Sequence, residues 1–285
     1  MNLVTKSEQR MSNDQKQQPQ PVAIVTGAAS GIGASITGAL QAAGHRVFGT
    51  YRKPPTTPTP GVEYVACDVT NDLAVDAAVR EVLAKTGRID LLVNNAGVGL
   101  TGAAEESSLE QAKFLFDVNV FGVIRMTKAV LPSMRQQGSG RIVNISSVLG
   151  LIPSPFSARY AASKHAVEGY SESLDHEVRI SGIRVVLVEP AYTRSGFDSN
   201  ALVADQLNEH YGPARANAEA VVRALMTTAD QPDVVAEAVV LAATATKPRL
   251  RYAAGRMAKR VSLLRRFVPA SAFDKSLRKQ MQMPA

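Results

Sequence analysis

The chain has 285 residues, of which 45% are hydrophobic, enough to fill the core of one large α/β domain or two small ones. The formal net charge is +7, but lysines and arginines crowd the segment from Lys247 to Ala285, where Asp274 is the only acid. The basicity therefore belongs to the tail. Since aromatic residues make up only 5% and no recognition motif accompanies the charge, the composition argues against nucleic-acid binding.

Three further features concern the compartment. No apolar run approaches the roughly 18 residues that a transmembrane helix requires. Residues 1–20 are polar and rich in glutamine, lack the apolar stretch of a secretory signal, and are expected to form a disordered leader. Cys67 is the only cysteine, which excludes an internal disulfide and fits a reducing compartment. These features favour a cytoplasmic protein.

Strands and helices are predicted to alternate from residue 21 onward. Six short, continuously apolar runs predict strands: Val22–Thr26, Arg46–Thr50, Val62–Ala66, Ile89–Asn94, Arg141–Ser146 and Arg184–Glu189. Apolar residues at helical spacing predict helices between them: one that ends at Gly44, then Leu73–Lys85, Leu109–Met134 and Arg159–Ile180. This alternation predicts an α/β fold with a doubly wound parallel sheet and helices on both faces.

A glycine-rich turn joins the first predicted strand to the first helix and contains Gly27, Gly31 and Gly33. Glycines let a backbone turn tightly and approach a pyrophosphate, and a helix N-terminus offers unpaired N–H groups and a positive dipole end. The spacing Gly-x-x-x-Gly-x-Gly differs from the usual dinucleotide fingerprint, so a purely structural turn is the alternative. Its position directly after the first strand favours a dinucleotide site.

The residues after the second predicted strand bear on the choice of dinucleotide. NAD-binding proteins usually place an acid there to bind the ribose 2′-hydroxyl. Here no Asp or Glu lies between Val47 and Gly61, and Arg52 and Lys53 stand there instead. Because cations bind the 2′-phosphate of NADP, these residues favour NADP(H) over NAD(H). The alternative, that both only solvate a proline-rich loop, leaves the missing carboxylate unexplained.

Tyr160 and Lys164 lie four residues apart in a predicted helix and therefore share one of its faces. An ammonium beside a phenol favours the phenolate, which suits a tyrosine to general acid–base catalysis. Alone, such a pair is more often an ordinary helix surface. Ser147, thirteen residues earlier and just past a predicted strand, offers a hydroxyl that can hydrogen-bond a substrate oxygen as charge develops there.

Taken together, the glycine turn, Asn94–Gly97, Asn119, Ser147 and Tyr160-x-x-x-Lys164 resemble the classical short-chain dehydrogenase/reductase family, in order, over about residues 21–245. The resemblance implies a single-domain Rossmann-type fold of about seven strands, with a catalytic domain over residues 21–246. It also implies hydride transfer between NADP(H) and the carbonyl or alcohol of a small molecule, and a homo-oligomer.

The resemblance assigns roles to individual residues. Tyr160 would be the acid/base, and Ser147, rather than its neighbour Ser146, would polarise the substrate oxygen. Lys164 would act on the tyrosine and hold the nicotinamide ribose, and Asn119 would hold a water in a proton relay. The implied cofactor-binding positions, with Arg52 and Lys53 added for their charge, are Gly27, Ser30, Gly31, Ile32, Gly33, Asp68, Val69, Asn95, Ala96, Gly97, Tyr160, Lys164, Pro190 and Thr193.

Two of these assignments have structural alternatives. Asp68 is expected to contact the adenine, but an exposed loop acid is the other interpretation. Asn119 is otherwise a structural cap or a polar helix residue. The four histidines show no metal-ligand spacing, so no metal site is expected.

The C-terminal third is less specific. By resemblance, residues 192–230 cover the substrate, and their apolar side chains suit a lipophilic molecule, although a helix packed on the core also needs them. The basic extension over residues 247–285 resembles that of the 17β-hydroxysteroid and retinol dehydrogenase-like branch. It carries an apolar stripe at helical spacing with cationic flanks: Met257, Val261, Leu264 and Val268. Such a stripe can lie on an anionic membrane, but packing on the chain's own domain or on another subunit is favoured.

Two other functions stay open on sequence grounds. One is an isomerase or epimerase of the same fold that keeps NAD tightly bound, whose larger relatives carry a longer C-terminal substrate domain. The other is a catalytically silent dinucleotide-sensing protein, which commonly lacks the tyrosine or the lysine.

Overall fold

The computed structural model describes residues 20–197 and 200–283, so the leader expected over residues 1–20 lies outside the described residues apart from Gln20. The described residues form nine strands: β1 (Val22–Val25), β2 (Arg46–Tyr51), β3 (Glu63–Ala66), β4 (Leu91–Asn94), β5 (Leu100–Thr101), β6 (Gly140–Ile145), β7 (Ile183–Pro190), β8 (Leu202–Val203) and β9 (Arg251–Ala254). Seven of them form one sheet in the order β3-β2-β1-β4-β6-β7-β9, with every neighbouring pair parallel. The predicted doubly wound parallel sheet is confirmed.

Helices cover both faces of this sheet, as the alternating pattern predicts. The described α-helices are α1 (Gly31–Ala42), α2 (Asp72–Thr86), α3 (Leu109–Phe116), α4 (Gly122–Gln137), α5 (Ala158–Val178), α6 (Gly212–Met226), α7 (Pro232–Thr244), α8 (Gly255–Phe267) and α9 (Ala270–Gln280). Buried residues of α1 and α7 pack with one face of the strands, and those of α2, α4 and α5 pack with the other. The central strands are buried on both faces, which explains why β1 is apolar throughout.

The helix predicted over Leu109–Met134 is interrupted. α3 ends at Phe116, and a π-helical turn over Asp117–Phe121 leads into α4. A π-helical turn inserts one extra residue into a helix and is frequent at functional sites. Here it buries Asn119, one of the predicted catalytic residues.

The sheet continues beyond residue 246, where the sequence placed the end of the catalytic domain. β9 pairs with β7, with Arg251 opposite Leu187 and Ala254 opposite Pro190. Since β9 completes the seven-stranded sheet, part of the basic extension belongs to the fold itself.

The remainder of the extension forms α8 and α9. Met257, Val261 and Val268 of the predicted apolar stripe are half-buried and Ala258 is buried, so part of the stripe packs inward. Leu264 of the stripe is exposed, as are Leu263 and Phe267 on α8. None of the helices in the described residues combines the length and apolarity needed to cross a membrane.

Candidate active site

Most of the predicted site residues lie at the carboxyl ends of the central strands. The glycine turn follows β1, Asn95 follows β4, Ser147 follows β6, and Pro190 ends β7. The strand order reverses between β1 and β4. In open α/β sheets, ligands bind outside the carboxyl ends of the strands near such a switch point. The fold therefore gathers these residues where a ligand is expected.

The glycine turn is shaped by close backbone approach. Gly27 and Gly31 have φ angles of +64° and +54°, which glycine adopts readily. A Cβ on Gly33 would lie only 2.2 Å from the Gly27 carbonyl oxygen. The Ser30 side chain does not cap α1, and the first turn holds no acid. The N-terminus of α1 thus presents backbone N–H groups and a positive dipole end, which fit a phosphate.

Asn95 and Thr26 fix the distance between this turn and the loop after β4. Asn95 Nδ2 donates to the carbonyl oxygens of Thr26 and Gly27 at 2.9 and 3.1 Å. Thr26 Oγ1 accepts the backbone N–H groups of Asn95 and Ala96 at 2.9 and 3.0 Å. Asn95 therefore supports the turn, and Ala96 packs beneath Gly27, where a Cβ on Gly27 would meet its Cα at 2.9 Å.

The Asn119 side chain hydrogen-bonds to the same loop after β4. Its Oδ1 accepts from the Val98 N–H at 2.8 Å, and its Nδ2 donates to the Val98 carbonyl at 2.9 Å and to Ser163 Oγ at 3.2 Å. The buried amide thereby joins the π-helical turn to the Gly97–Val98 backbone and to α5. In this geometry Asn119 has a structural role, which is the alternative that the sequence analysis gave for it.

Lys164 lies in the centre of the site and is buried. Its Nζ donates to the Ile145 carbonyl at 2.9 Å and lies 5.7 Å from the centre of the Tyr160 ring. Burial lowers the pKa of Lys164 to about 8, and the charge of Glu168, one turn further along α5, opposes this decrease. The lysine and the tyrosine therefore share a face of α5, as their spacing predicts.

Ser147 and Tyr160 are both half-buried. Ser147 caps a short 3-10 turn, and its Oγ accepts from the Leu149 N–H at 3.1 Å. Neighbouring Ser146 is buried, so the structure places Ser147 as the more accessible of the two hydroxyls. The Tyr160 ring packs against Phe197, with ring centroids 5.7 Å apart.

The residues after β2 and β3 lie at the outer end of the predicted cofactor site. Arg52 and Lys53 are exposed beyond β2. Asp68 Oδ1 accepts from the N–H and Oγ1 of Thr70 at 3.0 and 2.7 Å. The Thr70 hydrogen bonds lower the pKa of the Asp68 carboxyl, and the charge of Arg52 contributes. Asp68 therefore shapes its own loop, while Val69 is buried against Gly122.

Pro190 and Thr193 flank the nicotinamide end that the resemblance implies. Pro190 is the buried last residue of β7, and Thr193 is also buried. Thr193 Oγ1 donates to the Ala191 carbonyl at 3.2 Å, and its backbone pairs with Asp230. The segment after β7 is thereby tied to the chain between α6 and α7.

A cluster of buried charges beside the site was missed by the sequence analysis. Arg251 of β9 contacts Glu168 and Glu172 of α5 and Glu189 of β7. Glu168 lies four residues after Lys164, which is the one local signal that could have placed it near the lysine. No such local spacing identified Arg251, because it lies among the other cations of the basic C-terminal segment.

The described residues contain no group of three or more His, Cys, Asp or Glu side chains that could hold a metal ion.

A second buried ion pair joins Arg215 of α6 to Glu106 in the loop before α3. This pair ties the segment after β8 to the body of the domain.

Residues 21–206 match the family described as short chain dehydrogenase. The chain is 43% identical over 196 residues to a 3-ketodihydrosphingosine reductase from Bacteroides thetaiotaomicron, which covers 68% of this chain and 72% of that protein. The residues that match the family, 21–206, include the glycine turn and the Tyr160–Lys164 pair. These similarities reach well past the level at which family membership is secure.

Solved structures agree with this assignment. A short-chain dehydrogenase from Streptomyces avermitilis aligns with a TM-score of 0.74 and 34% identity, covering 93% of this chain and 96% of that one. A metagenomic short-chain oxidoreductase in complex with NADP aligns with a TM-score of 0.64 and 30% identity, covering 82% and 96%. The chain belongs to the short-chain dehydrogenase/reductase family and is an oxidoreductase of that family.

Proposed function

We propose that this enzyme interconverts a carbonyl and an alcohol of a small lipophilic molecule and uses NADP(H) as its cofactor. The observation that carries the proposal is the placement of the buried Lys164 ammonium 5.7 Å from the Tyr160 ring, beside the end of β6 that carries Ser147. An ammonium, a phenol and a hydroxyl at the carboxyl edge of a parallel sheet are suited to proton transfer at a substrate oxygen.

The residues of the glycine turn fit a dinucleotide. Gly33 has no Cβ where the Gly27 carbonyl and the Asn95 amide approach it, which lets the turn fold tightly onto the start of α1, and the N-terminus of α1 favours the negative charge of a pyrophosphate. Gly27, Gly31 and Gly33 would hold this part, and Lys164 would hold the nicotinamide ribose. A bound nicotinamide supplies or accepts the hydride.

The chain's own residues handle the proton and the substrate oxygen. Tyr160 donates its phenolic proton to that oxygen in the reducing direction and removes it in the oxidising direction. The Ser147 hydroxyl donates a hydrogen bond to the same oxygen and stabilises the charge that develops on it. The Lys164 ammonium favours the phenolate form of Tyr160. Asn119 supports the proton relay by fixing the loop beside Lys164.

Charge supports NADP(H) over NAD(H). Arg52 and Lys53 are exposed where β2 ends, and no carboxylate precedes them in that strand. A guanidinium can bind a 2′-phosphate through two hydrogen bonds, and a carboxylate at this point would repel it. The NADP-bound metagenomic relative is consistent with this preference.

The aromatic ring that packs beside Tyr160 supports a lipophilic substrate. Phe197 packs on the Tyr160 ring, and the Bacteroides relative is named for a reaction on 3-ketodihydrosphingosine, a long-chain ketone. We therefore expect ketones or alcohols with an extended hydrocarbon portion to be better substrates than short polar ones.

The test is a panel of ketones, aldehydes and alcohols of increasing chain length, each assayed with NADPH and NADH or their oxidised forms by reduced-nicotinamide absorbance. Turnover that increases with chain length and is lost in Tyr160→Phe is the expected result. A protein that binds a nicotinamide dinucleotide tightly but turns over none of the panel would contradict the proposal and favour a dinucleotide-sensing role.

A further inference from the structure

A single arginine contacts three glutamates behind the proposed catalytic lysine. Arg251 Nη2 lies 2.9 Å from Glu168 Oε2, Nη1 lies 2.6 Å from Glu172 Oε1, and Nε lies 3.0 Å from Glu189 Oε1. The Glu168 and Glu189 side chains are 6% and 1% exposed, whereas that of Glu172 is 42% exposed. The cluster therefore holds two buried carboxylates and one accessible carboxylate around one guanidinium.

Two oxygens of the buried carboxylates, Glu168 Oε1 and Glu189 Oε1, accept no well-aligned hydrogen bond from the described residues. The Ser146 hydroxyl is the neighbouring donor to the Glu168 carboxyl. Arg251 Nε, although 3.0 Å from the Glu189 oxygen, gives its proton to Glu168 Oε2 at 3.0 Å. An ionised carboxylate can only accept hydrogen bonds, whereas a protonated one can also donate. A proton on this pair would therefore provide a donor where the buried acceptors now lack a well-aligned one.

Two cations and one further carboxylate surround the pair of buried carboxylates, Glu168 and Glu189. Lys164 and Glu172 approach from α5, and Arg251 approaches from β9. The hydroxyl of Ser146, at the end of β6, is neutral. α8, which packs nearby, turns Ala258 inward and leaves its lysine and arginines exposed. Two buried carboxylates that share one guanidinium do not both ionise readily, so such a pair retains a proton to higher pH.

The pKa values agree with this geometry. Burial raises the pKa of Glu189 to about 7, and the neighbouring Glu168 charge adds to the effect. Burial also raises the pKa of Glu168. Glu168 is nonetheless the better placed of the two to be ionised, because Arg251 Nε donates to its Oε2 and Arg251 Nη2 lies 2.9 Å from the same oxygen.

We propose that Glu168 and Glu189 hold one proton between them, mainly on Glu189, and that the charge left on Glu168 makes it a positioning residue that keeps Lys164 in its ammonium form. Glu168 lies four residues after Lys164 and so shares its face of α5. The lysine is buried, and the hydrogen bond described for its ammonium goes to the Ile145 carbonyl, which carries no full charge. Glu168 makes no direct ion pair with it and acts through its charge. The proposal rests on the proposed function, in which that ammonium favours the Tyr160 phenolate.

The first experiment compares Glu168→Gln with the matched control Glu172→Gln, in which the same arginine loses its accessible partner. Without the Glu168 charge, Lys164 should lose its proton at lower pH and stop favouring the phenolate. The pH profile of kcat/KM in the oxidising direction should then move up by about 0.3 of a pH unit or more, because a charge pair four residues apart on a helix contributes up to about 0.5 kcal/mol even when exposed, and one unit corresponds to about 1.4 kcal/mol. Glu172→Gln should follow the wild-type profile, and Glu168→Asp should restore much of it.

The second experiment does not depend on activity. Difference infrared spectra of the wild type between about pH 6 and about pH 9 should lose the carbonyl band of a protonated carboxylic acid, since the Glu189 pKa of about 7 lies between them. That change should be absent in Glu189→Gln. Circular dichroism and Tm would establish that each variant is folded.

The outcomes separate the two proposals. A wild-type pH profile in folded Glu168→Gln, or an equal shift in Glu172→Gln, would overturn the positioning role of Glu168. A wild-type infrared change that persists in Glu189→Gln would overturn the shared proton. If no substrate is turned over, the proposed function fails, while the infrared measurement still decides whether the pair holds a proton.

Discussion

The two halves of the central sheet are built from different chemistry. After β1 the site is formed by backbone groups and small residues, β1 is apolar throughout, and charged side chains stand at the outer end, after β2 and β3. Beside β6, β7 and β9 the structure buries polar and charged side chains. Asn144 of β6 accepts from Asn94 and donates to Ser171, both at 2.8 Å, and Glu189 of β7 meets Arg251 of β9. The first half resembles an ordinary core with a shaped turn, and the second a polar network.

This difference indicates how each half would work. A site made of backbone and dipole binds by steric fit, and its function should depend little on pH. Burying a polar or charged group costs free energy unless it is hydrogen-bonded or paired, so a buried network is sensitive to the loss of any member. We therefore expect changes in the first half to affect cofactor binding, and changes in the second half to affect rate and pH dependence.

The largest expected effect is that of Tyr160→Phe. Because the phenol oxygen is the atom that exchanges a proton with the substrate in the proposed scheme, kcat should fall by about 10²–10⁴-fold, the usual contribution of general acid–base catalysis. The Kd for NADPH, which the glycine turn should dominate, is expected to stay near the wild-type value. Steady-state kinetics and fluorescence titration measure the two quantities.

Tyr170→Phe, on the same helix but half-buried against the core, is the matched control and should retain activity. If Tyr160→Phe kept more than about a tenth of the wild-type kcat, Tyr160 would have to be removed from the mechanism. An equal loss of cofactor affinity would break the division of labour between the two halves.

Local patterns in the sequence were sufficient to place much of the candidate site in the fold. The glycines between β1 and α1, and the pairing of Tyr160 with Lys164, depend on spacings of a few residues. Periodicity reports such spacings directly. The predicted strand Arg46–Thr50 is observed as Arg46–Tyr51 for the same reason. The family resemblance then supplied roles that spacing alone does not give.

The features that the sequence did not predict arise from contacts between distant residues. Arg251 contacts Glu168, 83 residues earlier, and was assigned to a basic tail because nothing local distinguishes it from the cations around it. β9 was missed for the same reason, since it is four residues long and becomes a strand only by pairing with β7. The π-helical turn around Asn119 is likewise invisible to a pattern that assumes one helical period.

The next largest effect tests the half of the sheet formed by β1, β2 and β3, where binding is expected to depend on steric fit. A Cβ in Gly33→Ala would lie 2.2 Å from the Gly27 carbonyl oxygen and 2.7 Å from Asn95 Nδ2, so the turn must move. Overpacking of this kind typically costs about 1–3 kcal/mol. We expect a lower Tm and a roughly ten- to hundredfold weaker Kd for NADPH, because about 1.4 kcal/mol corresponds to a factor of ten.

Gly169→Ala is the matched helical control. A Cβ there meets nothing within 4 Å, and alanine is favoured over glycine in helices by about 1 kcal/mol, so its Tm should equal or exceed that of the wild type. Unchanged cofactor affinity in Gly33→Ala would refute the proposed role of the turn in pyrophosphate binding.

A smaller effect contrasts a well-partnered buried carboxylate with the poorly partnered Glu189. Glu106 pairs with Arg215 and accepts the N–H groups of Ala103 and Asn208 at 2.7 and 2.8 Å. Although burial alone would raise it, the pKa of Glu106 is lowered to about 2 by these partners, from an ordinary value of 4.5. Its ionised form therefore stabilises the fold above about pH 4.5, and that stabilisation is lost as the pH falls toward 2.

We accordingly expect Glu106→Gln to lower the Tm at neutral pH by at least a few degrees, since about 1 kcal/mol corresponds to about 2–4 °C in a domain near this size. The difference from the wild type should shrink as the pH falls below about 4.5. Glu105→Gln, which alters the exposed neighbour, should change the Tm little. A Tm difference that stays constant down to about pH 3 would show that Glu106 does not act through its charge.

The smallest expected effect concerns the choice of cofactor. It tests whether a charge in the half of the sheet formed by β1, β2 and β3 decides between NADPH and NADH. Arg52 and Lys53 are exposed where β2 ends. A hydrogen bond to a charged group contributes about 1.5–3 kcal/mol, and solvent exposure brings the value to the low end. This corresponds to a preference of about tenfold in kcat/KM for NADPH over NADH. Arg52→Ala should reduce that ratio by raising the KM for NADPH while leaving that for NADH near the wild-type value, because only NADPH carries the 2′-phosphate. Arg80→Ala, which removes an exposed arginine of α2, should leave the ratio unchanged. Equal use of both cofactors by the wild type would show that Arg52 and Lys53 only solvate their loop, and that this half of the sheet recognises a dinucleotide by shape alone.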